Sequence, residues 1–221
     1  MKKLLFLLLV LMASHGAWAQ ETQFGIKMGI NFPSLQPRTG FSPGSEYKIS
    51  AKFLLGGFAN IKIGKATTLQ PGLSFSVKGN KSVEQHNTIS FGSPVPYTTE
   101  RNLNIYYFEL PVNVLYNKEL SLGTAYAGGG AYAAYAVSGR IRSINKRNTY
   151  MKRGSAERVA FGDQPDQLDK FDYGLNAVAG FRLKNKIDFS LNYGFGLANI
   201  SNNPAFKSQN RNLSLSIGYI F

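Results

Sequence analysis

Ser214-Leu215-Ser216-Ile217-Gly218-Tyr219-Ile220-Phe221 closes the chain, and its side chains alternate. Leu213, Leu215, Ile217, Tyr219 and Phe221 fall on one face, while Asn212, Ser214, Ser216 and Gly218 fall on the other. A period of two is the signature of a β-strand, here with one apolar face and one small or polar face. Water offers no reward for a strand that ends on an exposed aromatic ring, so the apolar face must meet something other than water.

The opposite end of the chain says where that happens. Lys2 and Lys3 precede an apolar run from Leu4 to Met12, and Ala17-Trp18-Ala19 supplies the small-x-small pattern of a secretory cleavage site. The run is too short to span a bilayer, so residues 1–19 are expected to be a cleaved signal peptide and residues 20–221 one exported barrel domain. With no cysteine in the sequence, lipidation at a mature N-terminal cysteine and a disulfide framework are both excluded. Taking the two signal lysines from 25 Lys and Arg leaves 23 against 12 Asp and Glu, a net charge of +11. An exported chain this basic suits anionic partners such as outer-membrane lipid headgroups and lipopolysaccharide phosphates. Nucleic acid is not expected, because no recognition motif is present.

Alternation recurs in eight segments, at 22–32, 51–63, 68–78, 103–116, 120–139, 170–183, 187–200 and 211–221. Each is long enough for a tilted membrane strand, for which ~9–11 residues suffice. The connections after the second, fourth and sixth segments are short: Gly64-Lys65-Ala66, Asn117-Lys118-Glu119 and Lys184-Asn185-Lys186. Those after the first, third, fifth and seventh are long, at 33–50, 79–102, 140–169 and 201–210. This strict sorting predicts an all-β, eight-stranded antiparallel up-and-down transmembrane barrel with tight turns at one end and long loops at the other.

The faces decide between a soluble and a membrane barrel. The seventh segment sets Ile187, Phe189, Leu191, Tyr193, Phe195 and Leu197 against Asp188, Ser190, Asn192, Gly194, Gly196 and Ala198. The first sets Phe24, Ile26, Met28, Ile30 and Phe32 against Gln23, Gly25, Lys27, Gly29 and Asn31. So many large side chains per strand would overfill an eight-strand interior, so the apolar face is expected to meet lipid and the polar face the lumen. In the fifth segment Gly123, Ala125, Ala127, Gly129, Ala131 and Ala133 are expected to face inward and leave room for polar neighbours.

Three stretches carry a resemblance: Phe24-Gly25-Ile26-Lys27-Met28-Gly29-Ile30-Asn31-Phe32, Tyr107-Phe108-Glu109-Leu110-Pro111-Val112, and the run from Phe171-Asp172-Tyr173-Gly174 through Gly180-Phe181. They resemble the PorT-like family of outer-membrane β-barrel proteins over nearly the whole mature chain. That resemblance implies an eight-stranded barrel in the outer membrane of a Gram-negative bacterium and little chemistry; no cofactor is expected. The C-terminal strand ending in Phe221 is similar to the signal read by the barrel-assembly machinery during biogenesis.

Lys27, Lys52, Lys62, Lys78, Glu109, Asp172, Arg182 and Asp188 fall on the polar parity of their strands. A turn centred on Asn185 sets Arg182 opposite Asp188. In so narrow a barrel, Lys27, Glu109, Asp172, Arg182 and Asp188 are expected to form a charge-neutralising network that fills the lumen, rather than a pore lining or proton path. Pro111 lacks a ladder donor and predicts a bulge or kink beside Glu109. His86, with Ser82 and Ser90 near in sequence, is the one candidate for a lipid A-modifying catalytic centre, but neighbours in sequence do not make a triad held within hydrogen-bond reach. One mature histidine and no cysteine give no metal site. The third long loop carries Arg140, Arg142, Lys146, Arg147, Lys152 and Arg153, suited to an anionic surface partner. The expected protein is a monomeric, non-enzymatic barrel of the bacterial outer membrane, with a role in envelope integrity, surface binding or assistance to a secretion partner. The rivals are a lipid A-modifying enzyme, a narrow pore and a soluble lipocalin-like carrier.

Overall fold

The structure, a computed structural model, describes residues 22–37, 45–90, 93–147, 150–204 and 207–221. The expected signal peptide lies outside the described residues. The strands are β1 (Thr22–Pro37), β2 (Ser45–Lys48), β3 (Lys52–Lys62), β4 (Thr67–Lys78), β5 (Lys81–Ser90), β6 (Ser93–Leu120), β7 (Gly123–Arg147), β8 (Tyr150–Arg158), β9 (Phe171–Leu183), β10 (Ile187–Gly196) and β11 (Ser208–Ile220). Eight of them close a ring in the order β1-β3-β4-β6-β7-β9-β10-β11 and back to β1. Antiparallel pairing of β1 with β11, from Gly25 against Ile220 to Pro37 against Ser208, closes the ring. The N–H of Phe221 extends it by donating to the Phe24 carbonyl at 2.8 Å.

The turn end carries both ends of the ring-forming chain and the connections 63–66, 121–122 and 184–186. The other end differs from the loops expected there. β5 continues the register of β4 along β6, and β8 pairs with the far half of β7. Residues 81–90 with 93–102, and 140–147 with 150–158, therefore pair as projecting β-ribbons, termed hairpins, with short β2 added to the edge of β5. Neither segment alternates in sequence, because beyond the membrane both faces of a ribbon meet water.

Large apolar side chains point outward all round. Phe24, Ile26, Met28 and Ile30 on β1, Phe108 to Tyr116 on β6, Phe189 to Phe195 on β10 and Leu213 to Phe221 on β11 alternate as exposed residues. Phe108 to Tyr116 covers about 26 Å of strand, close to the apolar band of ~25 Å that a membrane barrel presents. Between them Asn31, Ser74, Ser76, Lys78, Asp172, Asn176, Asp188 and Ser214 are buried.

Two local expectations are corrected. On β7 the small residues Ala127, Ala131 and Ala133 face outward, whereas Tyr126 and Tyr132 are buried in the lumen. Tyr126 stands opposite Gly180 and Tyr132 opposite Gly174 on β9, and a Cβ at Gly180 would lie 2.3 Å from the Tyr126 hydroxyl. The glycines thus admit tyrosine rings across the lumen, a pairing also used to cover strand glycines elsewhere. Of the bulge or kink expected at Pro111, no bulge is present. The β4–β6 pairing is interrupted between Pro71/Val112 and Ser74/Glu109 without change of register, and the register shift lies between Tyr106 and Tyr107, where Val137 is skipped on β7.

Ala131 pairs with Val112 and Leu175, both exposed within the apolar band. Ala131→Arg should therefore cost about 2–4 kcal/mol and Ala131→Leu little, read as the midpoint of reversible unfolding in lipid vesicles. If Ala131 faced the lumen, the order would invert.

Candidate functional site

The lumen is a stack of layers. At the hairpin end Leu35, Ile105, Tyr107, Ala136, Ala198 and Ile200 form an apolar lid, with Leu103, Phe161 and Leu168 packed on it. The stretch 159–170 folds inward to build this lid, through bridges that join Phe161 to Leu168 and Leu168 to Ser201.

Beneath the lid sits Lys78, from the last position of β4. Its ammonium lies 2.6 Å from Glu109 and 3.3 Å from Asp172, 4.3 Å from the Tyr132 ring centroid and 5.4 Å from that of Tyr107. Asp172 also accepts from Asn210 at 2.9 Å and from the Tyr132 hydroxyl at 3.3 Å. Carboxylate acceptors and the faces of two tyrosine rings thus surround an ammonium that burial alone would make untenable, and amide and hydroxyl donors hold Asp172 in place. Next comes an uncharged layer. Asn31 donates to Ser76 at 2.9 Å and accepts from Ser214 at 2.8 Å and Asn212 at 3.2 Å.

Toward the turn end, Leu115, Tyr126 and Val178 form a second apolar cluster. Tyr126 donates to Asp188 at 2.8 Å, and Arg182 stands directly opposite Asp188 in the ladder with Nε 3.6 Å from its Oδ1. Lys27 makes no ion pair among the described residues; its ammonium lies 5.9 Å from the Phe58 ring centroid. Three cations (Lys27, Lys78, Arg182) face three carboxylates (Glu109, Asp172, Asp188), so this set is neutral. The free space at its centre is about 20 Å³, room for about one water.

Lys52 leaves this set. Its ammonium is held by the side-chain carbonyls of Asn102, at 2.6 Å, and Asn104, where β6 begins to project.

The basic segment is a hairpin rather than a loop. Arg140, Arg142, Lys146 and Arg147 lie on β7, Lys152 and Arg153 on β8; the side chains of Arg147, Lys152 and Arg153 lie outside the described residues. Arg140 and Arg142 are exposed. Lys146 is engaged by an acid that the sequence did not point to: Glu100 on the neighbouring hairpin, 2.5 Å away, which also meets Lys81 at 3.0 Å. Hydrogen bonds from Lys146 and Lys81 hold the Glu100 carboxyl below the usual carboxylate range. Arg158, which the sequence reading left out, faces Arg140 across the β7–β8 ladder and is exposed as well.

His86 lies on β5, stacked on Tyr97 with centroids 5.0 Å apart and its Nε2 3.3 Å from Glu84. Ser82 and Ser90 are each four residues away along the same strand, about 13 Å of extended chain, which is beyond nucleophile-to-base reach.

A family model described as the outer membrane protein beta-barrel domain matches residues 18–202. Among solved structures, the chain is similar to Ail, the attachment invasion locus protein of Yersinia pestis, at 11% identity and TM-score 0.40 over 91% of this chain and 99% of that one. Neisserial surface protein A is similar at 9% identity and TM-score 0.44, over 91% and 100%. The outer membrane protein OprG of Pseudomonas aeruginosa is similar at 11% identity and TM-score 0.43, over 92% and 98%. No curated protein matches the chain.

Lys78→Met, by leaving the Glu109 and Asp172 carboxylates without their shared cation, should cost about 3–5 kcal/mol in unfolding measurements, and neutralising Lys78, Glu109 and Asp172 together with residues of similar volume should restore most of it. A lumen open to water would instead screen the two carboxylates and make the single change mild. The Glu100 contacts also set a pH dependence. A carboxyl whose folded pKa is depressed stabilises above its unfolded pKa of ~4.3, and loses that contribution as pH falls through the lower folded value. Amide protection in the two hairpins should therefore hold from neutral pH to about 4 and fall below it, and Glu100→Gln should abolish the step.

Proposed function

The chain belongs to the outer membrane protein β-barrel domain family, and from that premise we propose that it is a non-conducting, non-catalytic interaction barrel of the bacterial outer membrane. Its projecting hairpin binds phosphorylated or sulfated surface glycans, lipopolysaccharide first among them. The observation that carries this reading is the facing pair Arg140 and Arg158. Both are exposed, with Arg142 two residues along, and neither has an ion-pair partner among the described residues. Like charges directly opposite in a ladder repel. A phosphate or sulfate bridging the two guanidinium forks relieves that repulsion and adds paired, charge-assisted hydrogen bonds.

Position narrows the partner. Val137, an outward apolar residue of β7, lies three residues before Arg140, about 10 Å along the strand, so the arginines sit at headgroup level beside the apolar band. We place this end outside the cell and the short turns toward the periplasm, the arrangement usual for such barrels. The filled lumen supports a non-conducting protein, and the distances around His86 support a non-catalytic one. Ring closure within one chain supports a monomer. The finer PorT-like assignment belongs to the same reading: its three stretches lie on β1, β6 and β9 and supply Lys27, Glu109 and Asp172 of the lumen set. Outward Phe221 suits recognition by the barrel-assembly machinery, and the projecting sheet leaves room for an envelope or secretion protein.

Each exposed ion pair contributes up to ~1 kcal/mol, so Arg140→Glu, Arg142→Glu and Arg158→Glu together should weaken capture by immobilised lipopolysaccharide at least about tenfold. Planar bilayers holding the wild type should show no conductance steps. Unchanged capture, or steady ion-selective steps, would contradict the proposal.

A further inference from the structure

The turn end holds a second concentration of charge. There the ring opens into a vestibule of about 700 Å³. Lys62, Lys65, Lys118, Arg182, Lys184 and Lys186 line it, and Glu119 is the one acidic side chain among its lining residues. Each of the three turn connections carries a lysine within it or no more than three residues away. The vestibule ends blindly, since the Arg182–Asp188 pair and the Leu115, Tyr126 and Val178 cluster lie between it and the middle of the barrel.

Its lining also presents donors without partners. The Arg182 Nε faces Asp188 Oδ1 at 3.6 Å, but one terminal nitrogen of Arg182 and the amide nitrogen of Asn60 are buried with no hydrogen-bond acceptor among the described residues. Buried donors are nearly always satisfied, so each such group calls for an acceptor. Two acceptor-less donors in a concave site where six cationic side chains meet the one carboxylate side chain of Glu119 describe a receptor for an anion.

The geometry points to a binding site for a soluble phosphorylated ligand, of sugar-phosphate or pyrophosphate size. The volume falls within the ~300–1,000 Å³ of ligand pockets. Phosphate oxygens match a guanidinium fork that has a second cation nearby, and the hydroxyls of Thr67 and Thr68 on the same lining suit a polar ligand body. The site is separate from the hairpin arginines at the other end of the barrel, and the two stand or fall independently.

The test is calorimetric titration of the refolded, full-length barrel in non-ionic detergent with inorganic pyrophosphate. Saturable binding is expected. It should weaken as ionic strength rises from ~0.01 M to ~1 M and the screening length shrinks from ~30 Å to ~3 Å. Lys118→Gln, Lys184→Gln and Lys186→Gln are exposed changes that leave the ladder intact, and together they should weaken binding about tenfold or more. Arg140→Gln with Arg158→Gln removes the hairpin's own phosphate capture from the readout, and the vestibule site should persist in that background. Repeating the titration in nanodiscs of anionic phosphatidylglycerol separates the sources of phosphate: undiminished binding there supports a soluble ligand, whereas competition by the bilayer would assign the site to lipid headgroups and overturn the soluble one. No saturable binding to the wild type, or equal binding to the triple lysine variant, would overturn the site itself.

Discussion

A sheet immersed in hydrocarbon has nowhere to leave an unpaired backbone N–H or C=O, and the meeting of β1 with β11 is the contact on which the rest of this molecule depends. Thirteen residue pairs, from Gly25/Ile220 to Pro37/Ser208, convert a sheet with two open edges into a ring with none. Closure at eight strands then limits the interior to a width that side chains fill. Whatever points inward is removed from bulk water, and a buried charge needs an opposite charge and hydrogen bonds. The arrangement around Lys78 follows from that limit, as do the Asn31 layer and the Arg182–Asp188 rung.

Apolar layers at two levels seal this polar interior. Ile105 and Ile200 are wholly buried in the lid at the hairpin end, and Leu115 is equally buried toward the turns. The molecule is therefore not simply a soluble barrel turned inside out. Its outer surface is uniformly apolar at the level of the membrane, while its axis alternates between apolar and polar strata. Beyond the strata, in the hairpins at one end and the vestibule at the other, cations outnumber acids. The groups available for binding are thereby confined to the two mouths.

The strands with large apolar residues on one face and small or polar ones on the other, β1, β10 and β11, were legible in the sequence, as were the tight turns. The Arg182–Asp188 rung was legible too, because a turn centred on Asn185 sets that pairing by counting. β7 was misread, since alanine and glycine suit either face and tyrosine is amphipathic. Its hydroxyls reach Asp188 and Asp172, which draws Tyr126 and Tyr132 inward. The glycines opposite them on β9 were the available signal. The hairpins carried no periodic signal because water lies on both of their faces. Lys78 and Glu109 stand on the paired strands β4 and β6, but Asp172 lies on β9, which the curvature of the ring brings across to Lys78, and the lid formed by Ile200 and Leu168 likewise joins residues far apart in sequence. The pairing of Arg140 with Arg158 depends on where β8 folds back, a geometry set by a register shift between Arg142 and Ile144.

The orientation of the two faces can be read directly at adjacent positions of β10. The chain contains no cysteine, so single cysteines introduced at Leu191 and Asn192 carry spin labels without background. Leu191 is exposed on the outer face and Asn192 lines the central lumen. In lipid vesicles the label at Leu191 should be relaxed strongly by oxygen, which concentrates in hydrocarbon, and the label at Asn192 should be shielded from it. A label at Asn192 that lies in hydrocarbon while that at Leu191 is sheltered would contradict the barrel described here.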